Sequence, residues 1–183
     1  MAKLVFAMTQ SLDGYVAAAD GALEPPLHGP DAALFLHFVE HERSLAGGLY
    51  GRRLYEIMDY WDEDHPEWTT AERDFATAWR AHPKWVVSRT LNSVGPNASL
   101  VGPDIESFVR TLKSQVEGTI AVAGPQLAAN LSKMGLIDEY RVYIRPVVLG
   151  TGKPYFADSR PALRLVANER VGEDAVRLTY EAI

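Results

Sequence analysis

The order of apolar and polar positions divides the chain into short segments of alternating period. Lys3–Thr9 is nearly continuous in apolar residues, which predicts a buried strand running into the turn residues Ser11-Leu12-Asp13-Gly14. Tyr15–Ala19 reads as short and extended, Asp20-Gly21 turns again, and Glu24-Pro25-Pro26-Leu27-His28-Gly29-Pro30 reads as irregular. Asp31 is an N-cap residue, and after it Leu34, Phe35, Phe38 and Val39 recur at helical spacing. Gly47–Gly51 predicts a short strand, Arg52–Met58 a helix and Asp59–Thr70 an acidic, aromatic surface loop. Thr69 or Thr70 caps a helix to about Ala81, and Lys84–Ser88 is β-branched enough for a strand.

The second half follows the same rhythm. Asp104 caps a helix through Val116, Thr119–Ala123 is a buried strand, and Gly124-Pro125 opens a helix that ends at Gly135. Glu139–Leu149 alternates, with Tyr140, Val142 and Ile144 on one face and Arg141, Tyr143 and Arg145 on the other. Leu163–Arg170 and Ala175–Glu181, joined across Gly172-Glu173-Asp174, predict a closing hairpin. Strands alternating with helices, then strands alone, predict a mixed, mostly parallel sheet with helices on both faces and an antiparallel edge. No repeat or linker interrupts the pattern, so a single domain is expected over residues 1–183.

Composition narrows the function. The apolar runs are too short for a transmembrane helix and the N-terminus lacks a signal-peptide pattern, so neither membrane insertion nor export is expected. The absence of cysteine removes disulfides, thiolate metal sites and a cysteine nucleophile, and it fits a reducing, cytoplasmic location. A formal charge of −6 argues against a nucleic-acid partner. Positive charge that does cluster therefore needs a local reason.

Three strand-to-helix junctions supply candidates. Tyr50-Gly51-Arg52-Arg53 puts two guanidiniums in the first helical turn, where an anion is the favoured neighbour. Ser88-Arg89-Thr90 lies beyond a strand's carboxyl end and suits a phosphate. Ala123-Gly124-Pro125-Gln126-Leu127 combines small residues with a helix start, as a pyrophosphate requires, without forming a G-x-G-x-x-G fingerprint. Each also reads as an ordinary polar turn when taken alone. His37-Phe38-Val39-Glu40-His41 matches the zinc-peptidase pattern H-x-x-E-H, but its helix already has a core face and no further ligand cluster follows, so no metal is expected. The acidic loop Trp61-Asp62-Glu63-Asp64-His65 reads as a lid or as solvated surface.

In order, these junctions resemble the dihydrofolate-reductase-like family, and within it the free-standing relatives of the reductase domain of the bifunctional riboflavin-biosynthesis deaminase/reductase. The matching pieces are Ser11-Leu12-Asp13-Gly14-Tyr15-Val16-Ala17, Gly51-Arg52-Arg53-Leu54-Tyr55-Glu56, Val87-Ser88-Arg89-Thr90-Leu91 and Ala123-Gly124-Pro125-Gln126-Leu127. The most specific piece runs from Gly135-Leu136-Ile137-Asp138-Glu139-Tyr140 to Arg145-Pro146-Val147-Val148-Leu149-Gly150-Thr151-Gly152-Lys153-Pro154.

The resemblance implies a three-layer α/β fold and an NADPH-dependent reductase that passes a hydride to a small heteroaromatic, pteridine- or pyrimidine-like substrate. Arg52, Arg53, Ser88 and Arg89 would hold the adenosine end and its 2′-phosphate. Gly51 belongs to the same element, Ala123 to Leu127 would cradle the pyrophosphate, and Thr9, Val16 and Ala17 would line the nicotinamide. Asp31 would be the catalytic proton donor, with Glu24 a poorer candidate. A homodimer is also implied, and the Arg141-Tyr143-Arg145 face is its candidate surface. Leu54, Ala123 and Gly47-Gly48 depart from the usual pattern. The rivals are a non-catalytic NADP(H)-binding sensor and dihydrofolate reductase itself. A deaminase half is excluded, since its zinc site needs cysteines.

Overall fold

The computed structural model describes residues 1–29 and 31–183. Its eight-stranded sheet has the order β5-β4-β3-β6-β1-β7-β10-β9. The strands are β1 (Lys3–Gln10), β3 (Leu45–Gly51), β4 (Lys84–Val87), β5 (Ala98–Val101), β6 (Thr119–Ala123), β7 (Glu139–Ile144), β9 (Leu163–Val171) and β10 (Ala175–Ala182). Only β10 runs against its neighbours, β7 and β9, and the remaining pairs are parallel. A second, two-stranded piece pairs β2 (Tyr15–Ala17) with β8 (Lys153–Pro154).

Helices cover both faces. On one, α5 (Ile105–Gln115) and α6 (Pro125–Lys133) bring Val109, Leu112, Leu127, Ala128 and Leu131 onto Leu4, Phe6, Ile120 and Val122. Tyr155 is buried among them, and its hydroxyl donates to the Phe6 carbonyl at 2.9 Å. On the other, α2 (Ala32–Arg43) packs Leu34 against Tyr143, Val171 and Ala175. Farther along α2, Val39 meets Phe75 and Trp79 of α4 (Thr70–Ala81). Of the two threonines expected as the cap of α4, Thr69 is the one, and with Glu72 it forms a reciprocal capping box.

Several expectations are corrected. Pro25–His28 forms one helical turn, α1, because proline at the first positions pre-sets φ and removes no needed donor; Pro30 lies outside the described residues. Asp59–Thr70 lies at the surface as expected but is anchored to the fold. Asp59–Asp62 is a 3₁₀ turn, Trp61 packs on Phe75, and Trp68 is buried with its indole N–H on the Tyr60 hydroxyl at 2.8 Å. β7 stops at Ile144, two residues before Pro146, which has no amide to continue the ladder. β5 and β8 were not foreseen, because Ala98–Val101 and Lys153–Pro154 carry no alternation of their own. The face of Arg141, Tyr143 and Arg145 is covered by α2 and its approach, with Tyr143 fully buried, so it is not an outer surface.

Candidate functional site

The parallel strands β1, β3, β4 and β6 all end on one edge of the sheet, at Gln10, Gly51, Val87 and Ala123. β6 lies between β3 and β1, so the winding direction changes there, and such a crevice collects ligands in open α/β sheets. A cavity of about 1090 Å³ opens at this point between the strand ends, α2 and α3 (Arg52–Met58).

Its floor is backbone. Gly124 has φ +115°, a conformation that L side chains rarely adopt, and a Cβ there would lie 3.9 Å from the Gly51 backbone. A Cβ on Gly51 would stand 3.6 Å from the Ala123 carbonyl and from the Leu127 Cβ. Both distances are ordinary contact, so it is the positive φ of Gly124 that requires glycine here. Pro125 opens α6, no side chain caps it, and the first helical bond returns from Ala128 to Gly124. The amides of Gln126 and Leu127 are thus open at a helix N-terminus, the chemistry a pyrophosphate needs. Ala123 and Gly124 thus line the cavity, and Pro125, Gln126 and Leu127 form the first turn of α6 beside it.

The two arginines of α3 separate. Arg52 hydrogen-bonds Glu56 and the Thr90 hydroxyl, both at 2.8 Å, beside Ser88 and exposed Arg89. Ser88 Oγ accepts the amides of Thr90 and Leu91, which shapes the turn after β4. Among the described residues Arg89 has no hydrogen bond or ion pair. Arg53 instead donates to the Asp20 carbonyl at 2.9 Å, in the loop after β2. Arg52, Ser88, Arg89 and Thr90 thus gather beyond β4, while Arg53 turns to the loop after β2. Thr90 belongs to the junction read from the sequence, but its partner Arg52 lies 38 positions away and the pairing is set by the fold.

The end of the cavity expected from the sequence to take a nicotinamide lies beside β1 and β2. Thr9 lines the cavity, while Val16 and Ala17 are buried behind it. Gly152 presses on this wall: a Cβ there would lie 2.3 Å from the Ala17 carbonyl. Asp13 ties the wall down, accepting from Ser11 Oγ at 2.6 Å and from the amides of Leu149 and Gly150. These contacts explain the Ser11-Leu12-Asp13-Gly14 and Gly150-Thr151-Gly152 segments. The Val16 carbonyl is already engaged by His28 Nε2 at 3.1 Å. Desolvation lowers the His28 pKa against that hydrogen bond, and the Arg145 charge adds to the shift.

Asp31 reaches the cavity wall but is fully committed. One oxygen accepts from Leu34 N at 2.8 Å and the other from Glu173 N at 3.1 Å, so it caps α2 and fastens it to the β9–β10 turn. Burial works against its charge, yet these two amides and Arg145 hold the carboxyl below its ordinary value. An ionised carboxylate with an amide on each oxygen has a structural role as a cap, which argues against the proton-donor role expected of Asp31. Glu24 precedes α1 and makes no side-chain cap bond. His37 and His41 are also engaged: His37 Nε2 is 3.0 Å from the Tyr143 hydroxyl, and His41 faces Arg141 at 3.5 Å.

The comparisons agree with this geometry. A Shewanella sp. PV-4 protein assigned provisionally to riboflavin biosynthesis superposes with a TM-score of 0.75 at 25% identity, over 100% of this chain and 99% of that one. The YyaP protein of Bacillus subtilis, described as uncharacterized, is 28% identical over 181 residues, 97% of this chain and 94% of its own length. The Thermotoga maritima diaminohydroxyphosphoribosylaminopyrimidine deaminase/5-amino-6-(5-phosphoribosylamino)uracil reductase matches at 13% identity and a TM-score of 0.68, over 100% of this chain and 57% of that one. Enterococcus faecalis dihydrofolate reductase, solved with NADP(H), shares the fold at a TM-score of 0.61 and 15% identity, over 98% and 96% of the two chains. The RibD C-terminal domain model matches residues 2–177, so the chain belongs to the RibD C-terminal domain family and has a dihydrofolate-reductase-like fold.

Proposed function

We propose that this protein is an NADPH-dependent reductase of a small heteroaromatic molecule, pteridine- or pyrimidine-like. The observation that supports it is the alignment along one sheet edge of two anion-receiving places. One is the open N-terminus of α6 over the Gly51–Gly124 floor; the other is the Arg52, Ser88, Arg89 and Thr90 group beyond β4. A dinucleotide with an additional phosphate on its adenosine has anions at both.

When bound, the reduced nicotinamide supplies the hydride. The chain orients it. Thr9 and the β2–β8 wall form one side of the ring pocket, and Leu54 and α3 border the other. Dihydrofolate reduction itself is not proposed, because Asp31 is spent as a cap. Two copies are proposed to pair through β9, an edge strand exposed along nearly its whole length. The cofactor and the lack of cysteine suit the cytoplasm, and no helix among the described residues is long and apolar enough to cross a membrane.

Calorimetry of NADPH against NADH tests the reading. Wild type is expected to prefer NADPH, and Arg52→Ala/Arg89→Ala to lose about 10- to 100-fold of that preference, the scale of one or two charge-assisted bonds. Folded wild type that binds neither nucleotide would overturn it.

A further inference from the structure

The charged groups around the cavity are all turned to other uses. Its wall holds no lysine among the described residues, and one arginine. That arginine, Arg145, donates to the Gly29 carbonyl at 2.9 Å and lies 3.8 Å from Asp174; its Nε has no partner but is closed off from open space. Of the acids, Asp31 holds two amides, Glu42 sits 2.5 Å from His82, and Glu72 accepts Thr69 N and Oγ1 at 2.7 Å. His28 is on the Val16 carbonyl.

Most of the remaining wall is apolar. Phe35, Trp61 and Phe75 stack along it, with ring centroids 4.8–6.4 Å apart. The rim is apolar too: Leu23, Leu36, Ile57 and Tyr60 border the cavity and are 41–53% exposed. Exposed apolar side chains gathered around one opening mark a binding site. The cations able to receive a phosphate, Arg52 and Arg89, do not line this cavity.

We infer that the substrate is an uncharged, flat, fused-ring molecule without a phosphate, in contrast to a phosphoribosyl pyrimidine. The inference rests on the reductase reading for the chemistry and on the cavity wall alone for the specificity. In the reaction the acceptor gains a hydride at carbon and a proton from water at the neighbouring heteroatom, while the nicotinamide is oxidised. An ionised phosphate entering this wall would shed its hydration beside three carboxylates, with only Arg145, already bonded to the Gly29 carbonyl, to receive it.

Quenching of tryptophan fluorescence tests the inference through Trp61 on the wall, with three probes sharing one ring system: lumichrome, riboflavin and riboflavin 5′-phosphate. Titrations are run on the protein alone and with saturating NADP⁺. The expected result is lumichrome and riboflavin binding at least tenfold tighter than riboflavin 5′-phosphate. Ile57→Arg, at an exposed rim position that burdens folding little, is expected to narrow that gap about tenfold by receiving the phosphate. Equal or tighter binding of riboflavin 5′-phosphate by wild type, or failure of all three probes to bind, would overturn the inference. Failure of nucleotide binding with probe discrimination intact would overturn the reductase reading and leave the cavity's specificity standing.

Discussion

Asp31 illustrates how one residue can match a pattern and serve another end. Its two oxygens join the first turn of α2 to the hairpin turn at Glu173. Asp31→Ala is expected to destabilise the fold by about 1–2 kcal/mol, the range of a lost helix cap. It is expected to leave hydride transfer within a few-fold of wild type, with no ionisation lost from the pH–rate profile. Because the folded carboxyl lies below its ordinary value, its stabilising contribution is present above the unfolded pKa and is lost as pH falls through the folded one. Urea unfolding of wild type and variant between neutral and acid pH checks both the size and the sign. Gly124, by contrast, was readable as a necessary glycine: small residues before a proline-led helix leave little else to hold the backbone at φ +115°.

At the scale of elements, α2 is set on the sheet through a polar seam as well as an apolar one. His41 is pressed against Arg141, with His37 and Arg177 nearby. Burial first, and then these neighbours, depress its pKa to about 4. The unfolded chain therefore takes up a proton between about pH 6.5 and 4 that the folded protein refuses. Protons bound by the unfolded state alone make stability fall as pH is lowered through that window, by up to about 3 kcal/mol. His41→Gln is expected to flatten this part of the curve of unfolding free energy against pH; an unchanged slope would assign it to other groups. The H-x-x-E-H spacing was visible in the sequence, but the Arg141 and Tyr143 that occupy its histidines lie about a hundred residues away.

For the whole molecule, the sheet's two ends differ. β5 closes one end as a short strand, while β9 leaves a nine-residue edge with Leu165 and Val166 about half exposed. A long, accessible edge of this kind is a template for pairing with a second copy. The proposed homodimer predicts that Val166→Lys shifts the protein toward monomer in light scattering at micromolar concentration while leaving its circular dichroism unchanged. A monomeric wild type at the same concentration would remove the β9 pairing from the proposal.

Local rules were enough to determine where most strands and helices lie, which helices are capped, and that glycine and small residues meet at the β6–α6 junction. Period, capping and φ preference act over a few residues, and the chain displays them directly. Tertiary structure alone decided that Arg52 joins Thr90 while Arg53 turns to Asp20, that Asp31 is spent on Glu173, that Trp68 is buried, and that the cavity wall sets one arginine among three carboxylates. Each of those outcomes depends on partners far apart in sequence. The winding of β6 between β3 and β1 brings such groups together, and no local preference encodes which hydrogen-bonding group meets which across that distance.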